Sequence, residues 1–184
     1  MTESLKDRLR VLLAEKAYLT GDFVLTSGKH SNHYFDCKRV TFDPEGLSLI
    51  SDLLVAKLHV DCIYAIGGLT LGADPIVAGV VYASWRLGYP IEGFIIRKEP
   101  KKHGTSKWIE GFASSGTRVA VVDDVVTSGG SIIKSIERCR DEGLDPVMAY
   151  AIVDREEGGA ETIKRDCGIP FEPLFKYSDI IEQE

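Results

Sequence analysis

Asp123 and Asp124 stand side by side directly after the apolar run Val119-Ala120-Val121-Val122, and Thr127-Ser128-Gly129-Gly130-Ser131 follows closely. A run of this kind reads as a short buried strand, so the two carboxylates fall where it would leave its sheet. The hydroxyl and glycine residues then lead into the helical pattern Ile132, Ile133, Ile136, Cys139. Such a loop can turn several backbone N–H groups toward one point, and the positive end of the helix dipole adds to them. It is a candidate phosphate cradle. Adjacent carboxylates would repel the phosphate unless they address something else, and ribose hydroxyls or a bound cation are the obvious choices. Strand, two acids, hydroxyl-glycine loop and helix, in that order, suit a sugar phosphate. An ordinary strand, turn and helix would also hold a Gly-Gly turn; the acids and the hydroxyl run together single this one out.

Three further groups could serve the same chemistry. Gly67-Gly68-Leu69-Thr70-Leu71-Gly72 follows the apolar run Cys62 to Ile66 and opens a helical pattern that continues to about Leu87, giving a second possible anion site. Glycine turns link strands and helices in many α/β proteins, so alone it says little. The segment from Arg97 to Lys107 carries five Lys and Arg side chains against one acid, with Pro100 and Gly104 opposing regular structure. A solvated surface loop is the usual fate of such a run, yet its place between two candidate phosphate loops favours closure onto a polyphosphate. Arg155 falls where the apolar run from Pro146 to Val153 would leave the sheet. It could grip a ligand carboxylate in bidentate fashion or pair locally with Glu156 or Glu157.

The elements that position these groups read as one α/β unit. At 184 residues and 44% hydrophobic, the chain suits a single domain with a sizeable core. Residues 4–17 carry Leu5, Leu9, Leu12 and Leu13 at helical spacing. Residues 21–36 read as two short strands joined by a polar turn around Gly28; Tyr34 and Phe35 there could cover a planar ligand or pack on the first helix. Pro44 begins a helix running to Leu58, and strands are expected at 62–66, 91–96, 118–122 and 146–153. A short helix from Ala160 to Cys167 and an apolar tail at Phe171, Leu174, Phe175 and Ile180 close the chain. Alternating strands and helices imply a mainly parallel central sheet flanked by helices, with the candidate loops at its carboxyl edge.

The formal net charge of −6 argues against nonspecific nucleic-acid or membrane binding, and no apolar run is long enough to span a bilayer. Met1 to Arg10 is polar and helical in pattern, unlike a secretory signal, and the expected location is cytoplasmic. Cys37, Cys62, Cys139 and Cys167 are scattered, so reduced thiols are expected rather than a disulfide framework or a zinc site.

The stretch from Val119 to Ser131 resembles the phosphoribosyl pyrophosphate (PRPP) signature of the type I phosphoribosyltransferases. Over nearly its full length the chain is similar to the orotate phosphoribosyltransferases. That likeness is carried by Phe23-Val24-Leu25-Thr26-Ser27-Gly28-Lys29 with Ser31 and Tyr34-Phe35, by the basic loop from Arg97 to Gly104, by Ile109-Glu110-Gly111 and by Val153-Asp154-Arg155. Where some members have a lysine before the Ser-Gly of the hairpin, Thr26 stands here. The resemblance implies a type I phosphoribosyltransferase fold: a core of about 41–170 and a small hood from about 1–40 plus the C-terminal tail. It implies transfer of phosphoribose from PRPP to N1 of orotate with Mg²⁺, in a homodimer whose loop 97–107 reaches the neighbouring subunit's site. By the same resemblance Asp123 and Asp124 hold the ribose hydroxyls, and the backbone of Val125, Val126, Thr127, Ser128, Gly129, Gly130 and Ser131 cradles the 5-phosphate. Gly67, Gly68, Leu69, Thr70, Leu71 and Gly72 form the pyrophosphate loop. Arg97, Lys98, Lys101 and His103 grip the pyrophosphate, with Lys101 leading in neutralising it as it departs. Thr127 and Arg155 address orotate and Tyr34 and Phe35 cover its ring, while Mg²⁺ is held mainly by substrate oxygens and water rather than by protein ligands. A purine or uracil phosphoribosyltransferase would share the signature, but Arg155 and the Lys-Lys-His-Gly loop suit a carboxylated pyrimidine better. A PRPP-sensing regulator on the same fold would be expected to add a nucleic-acid-binding face, which this acidic chain lacks.

Overall fold

A computed structural model describes residues 2–24, 30–100 and 108–181. The first helix, α1 (Thr2–Leu12), passes into one π-helical turn (Leu13–Ala17), burying Leu9, Leu12 and Leu13. Strands β1 (Tyr18–Val24) and β2 (His30–Phe35) then pair antiparallel as a separate two-stranded sheet, with Tyr18 opposite Phe35. The expected hairpin is present; its turn around Gly28 lies outside the described residues.

A one-turn helix, α2 (Lys38–Thr41), leads from the hairpin to α3 (Pro44–Val60). Asp43 caps α3 through its carboxylate, which accepts from the Gly46 N–H at 2.9 Å, and Pro44 occupies the first turn, where its missing donor costs nothing. Beyond α3 the expected strand at 62–66 begins three residues later, as β3 (Ala65–Leu69). The reason is the helix end: the N–H of Cys62 donates to the carbonyl of His59 and that of Ile63 to Leu58, with Cys62 left-handed at φ 53°. This Schellman arrangement uses up residues 62–63.

The remaining elements are α4 (Ala73–Arg86), β4 (Glu92–Ile96), β5 (Ile109–Gly111), β6 (Arg118–Val126), α5 (Gly130–Asp141), β7 (Asp145–Asp154), α6 (Gly159–Cys167), β8 (Phe171–Lys176) and α7 (Tyr177–Ile180). The main sheet has the order β5-β4-β3-β6-β7-β8, parallel except for β5, which pairs antiparallel with β4. Two strands were not legible beforehand. Residues 109–111 are too short to show a period, and the stretch read as a C-terminal tail supplies β8. Pro173 sits within β8, which an edge position permits because no further strand needs its missing N–H.

Alternation along β6 divides the core. Ala120 and Val122 face one cluster, with Ile50 and Leu54 of α3 and Ile76 and Val80 of α4; Val119 and Val121 face the other, with Ile132 and Ile136 of α5 and Ile163 of α6. Helices therefore cover both faces, as a parallel sheet requires. The hairpin joins the first cluster through Phe35, whose ring lies 6.0 Å from Tyr18 and 6.2 Å from Tyr177.

Candidate active site

Strand β6 runs four residues beyond the expected end, so Asp123 and Asp124 lie within its last turn of pairing rather than after it. Both are buried, at 9% and 8% exposure. The Asp124 N–H donates to Asp123 Oδ1 and the Val125 N–H to Asp124 Oδ1, each at 3.0 Å, which fixes the carboxylates against their own backbone. Burial, followed by the charge of Asp124, pushes the Asp123 carboxyl up to about 7. A carboxyl so placed gains when hydroxyl donors or cations arrive.

After Val126 the chain turns through Thr127 and Ser128 to Gly129, which is left-handed at φ 84° and begins α5. The residues from Val125 to Ser131, together with Asp123 and Lys134, line a cavity of about 280 Å³. Asp123 and the candidate phosphate cradle thus share one opening. Lys134, a turn into α5, adds a cation that the sequence pattern had not singled out.

Of the second glycine segment, Gly67, Gly68 and Leu69 belong to β3, so only Thr70, Leu71 and Gly72 form the loop before α4. Gly68 is in the strand because its neighbours demand it: a β-carbon there would stand 2.1 Å from the Val122 carbonyl oxygen of β6. The Thr70–Leu71 peptide is cis, and Thr70 Oγ1 donates to Asp74 Oδ2 at 2.8 Å. Asp74 Oδ1 is buried without a hydrogen-bond partner. Thr70 also lines a cavity of about 420 Å³ with Arg97, Lys98, Glu99 and Glu110, which brings the start of the basic segment to this loop. Arg97 pairs with Glu110 at 3.0 Å. Lys101 and His103 lie outside the described residues, as do Thr26 and Lys29.

Arg155 follows β7, its N–H donating to the Val126 carbonyl at 2.9 Å, so it stands one strand over from the cradle. Asp154 holds the turn, accepting from the Glu156 N–H at 2.9 Å. The Arg155 side chain is 11% exposed and pairs with Glu157 at 3.1 Å, the local partner foreseen, while its Nε is buried with no partner. Its guanidinium carbon lies 5.7 Å from the centroid of Tyr177. Tyr34 is half-exposed and packs against Phe23 in a tilted arrangement with ring centroids 5.5 Å apart, whereas Phe35 is buried in the core. Sequence spacing gave no hint of Lys38, whose Nζ donates to Asp124 Oδ2 at 2.8 Å from the link between hairpin and core.

A parallel sheet whose central strand ends in two buried acids and a hydroxyl-glycine loop at a helix start defines a type I phosphoribosyltransferase. Over 182 residues the chain is 44% identical to the orotate phosphoribosyltransferase of Aquifex aeolicus (strain VF5), spanning 96% of this chain and 97% of that one. The chain belongs to the orotate phosphoribosyltransferase family. Its fold matches the crystal structure of Mycobacterium tuberculosis H37Rv orotate phosphoribosyltransferase in complex with Fe(III) dicitrate, with TM-score 0.85 and 32% identity over 96% of this chain and 98% of that one. The same enzyme in complex with PRPP matches with TM-score 0.81 and 30% identity over the same shares. No family model matches the chain.

Proposed function

We propose that the cavity between β6 and α5 receives the ribose 5-phosphate of PRPP and that orotate meets it from the side of Arg155. The chain is an orotate phosphoribosyltransferase: it transfers phosphoribose from PRPP to N1 of orotate, giving orotidine 5'-monophosphate and pyrophosphate for pyrimidine synthesis. The observation that carries the site reading is the opening shared by Asp123 and the amide loop of residues 125–131.

The ribose hydroxyls donate to Asp123 and Asp124, and the amides and hydroxyls from Val125 to Ser131 donate to the 5-phosphate. As the bond from the anomeric carbon to pyrophosphate oxygen breaks, positive charge grows on the ribose ring and negative charge on the leaving group. Orotate N1 supplies the electron pair of the new bond. Orotate is already an anion, so no separate base is assigned. Arg97, Lys98, Lys101 and His103 meet the departing charge, and the loop of Thr70, Leu71 and Gly72 lies against it; such groups stabilise departure more than they stabilise bound PRPP. Arg155 takes the orotate carboxylate through its unpartnered Nε and the nitrogen now on Glu157, with Thr127 beside it and Tyr34 over the ring. Phe35 supports that cover from the core.

Mg²⁺ neutralises part of the pyrophosphate charge when bound. The donor set fits an ion brought in on substrate oxygens: Asp123 and Asp124 offer hard carboxylate oxygens beside the proposed ribose position. A homodimer sharing loop 97–107 is the proposed assembly, supported by Tyr82 and Trp85 of α4, which are 72% and 77% exposed. A cytoplasmic location is proposed from the four free thiols; among the described residues no helix is long and apolar enough to cross a membrane.

Offering orotate, uracil, hypoxanthine and adenine in turn with PRPP and Mg²⁺ tests the base specificity. Turnover should be confined to orotate, and faster turnover of an uncarboxylated base would refute the role given to Arg155.

A further inference from the structure

We infer that Lys38 is a positioning residue for the acid pair: its ammonium fixes Asp124 Oδ2 and offsets one negative charge, so that two adjacent buried carboxylates can both accept hydrogen bonds from the ribose. This rests on the assignment of Asp123 and Asp124 to the ribose.

Lys38 Nζ lies 2.8 Å from Asp124 Oδ2, while Asp124 Oδ1 is held by the Val125 N–H. Both oxygens of that carboxylate are thereby oriented. Lys38 opens α2, and its backbone N–H donates to Asp36 Oδ1 at 3.3 Å, while Val40 and Thr41 of the same turn are buried. The base of the side chain is anchored, and its stem spans the gap to β6.

The charges around the pair leave this role to Lys38. Burial opposes the charged form of Lys38, but the hydrogen bond and charge of Asp124, with Asp36 and Tyr34 on the hairpin side, together raise the ammonium above the ordinary lysine value. Cys37 is buried beside both aspartates and its thiol is pushed well up by that burial, so it stays neutral. From α5, Lys134 lines the cavity that Asp123 enters. From the start of α4, Gly72 approaches both carboxylates, and Asp74 is bonded to Thr70. Among the described residues, Lys38 is the cation in contact with the pair, through Asp124. With Lys38 present the Asp123 carboxyl is already pushed up to about 7, by burial first and then by the charge of Asp124; without Lys38 the two like charges share their low-dielectric site with less compensation, and the shared proton is held to higher pH. A protonated carboxyl still has acceptor capacity, but it no longer favours ribose donors by charge.

The test is the pH profile of kcat/KM for PRPP, from about pH 5.5 to 9 at saturating orotate, in the full chain. Lys38→Met should move the acidic limb up by about one pH unit and raise KM for PRPP at pH 7 about tenfold. Lys38→Gln, which keeps a donor without the charge, should carry the same shift, and Lys38→Arg should restore the limb. A wild-type profile in both Lys38→Met and Lys38→Gln would overturn the inference. So would a loss uniform across pH that arginine does not rescue, since that marks a merely structural role. Asp124→Asn, measured in parallel, separates the two assignments: full activity there removes the ribose reading and the inference with it, whereas loss there beside unchanged Lys38 variants removes the inference alone.

Discussion

Gly72 approaches Asp124 so closely that a β-carbon on the glycine would stand 2.5 Å from Asp124 Oδ1 and 2.9 Å from Asp123 Oδ1. The loop after β3 and the acids at the end of β6 are therefore fitted to each other across neighbouring strands. The backbone at Gly72 is ordinary for any residue, with φ −60°, so the demand is for space alone. Gly72→Ala should fold and should lower kcat/KM for PRPP about tenfold or more, because an inserted methyl forces a shift typically costing about 1–3 kcal/mol. Steady-state kinetics with a thermal melt check this; unaltered kinetics would show the loop and the acids to be independent.

Asp123 links function to stability with a definite sign. Its carboxyl is raised to about 7 in the folded chain, so between the ordinary aspartate value of about 4 and pH 7 the native state binds more protons than the unfolded one. That group's contribution falls as pH rises through this window and is flat above it. Asp123→Asn removes the charge and keeps an oxygen to accept the Asp124 N–H. At pH 7.5 it should melt at least about 2 °C higher than the parent, with the gain vanishing near pH 4, while turnover falls. Melting curves at the two pH values decide it.

The buried, unpartnered Nε of Arg155 makes a different prediction. A guanidinium nitrogen without an acceptor is costly in the free protein and is satisfied when a carboxylate arrives. Arg155→Ala should raise KM for orotate by about ten- to a hundredfold and leave KM for PRPP within about twofold, on the scale of a charge-assisted hydrogen bond. Equal losses for both substrates would point to a collapsed site instead.

Lys101 falls outside the described residues, and the role proposed for it rests on the family resemblance and the cationic segment around it. Lys101→Ala should retain the fold and lose most of kcat, on the order of a hundredfold, with KM for PRPP much less affected. Near-parental turnover would remove Lys101 from the chemistry.

What could be read in the chain beforehand follows the range of the interactions. The strand, acids, loop and helix from Val119 to Cys139 form one local unit in which a short continuous apolar run gives way to a helical apolar spacing, so the strand and helix, and the candidate phosphate cradle between them, showed in the residues themselves. Limits of elements were less legible where tertiary pairing decides them: β6 continues through both aspartates because β7 offers partners as far as Asp154. β8 stayed hidden because Pro173 and two charged neighbours, Glu172 and Lys176, mask an edge strand. Gly67 and Gly68 read as loop by composition, yet their lack of side chains serves close packing inside β3. Lys38 could not be foreseen, since 86 positions separate it from Asp124 and no spacing rule spans that distance.

The most direct measurement of the central claim is the fall in orotate absorbance when PRPP and Mg²⁺ are added to the purified protein, run beside Asp124→Asn. A steady fall with the parent, stoichiometric release of pyrophosphate, and a rate at least about a hundredfold lower with Asp124→Asn are the expected results. An Asp124→Asn protein as fast as the parent would contradict the assignment of the acid pair to the ribose.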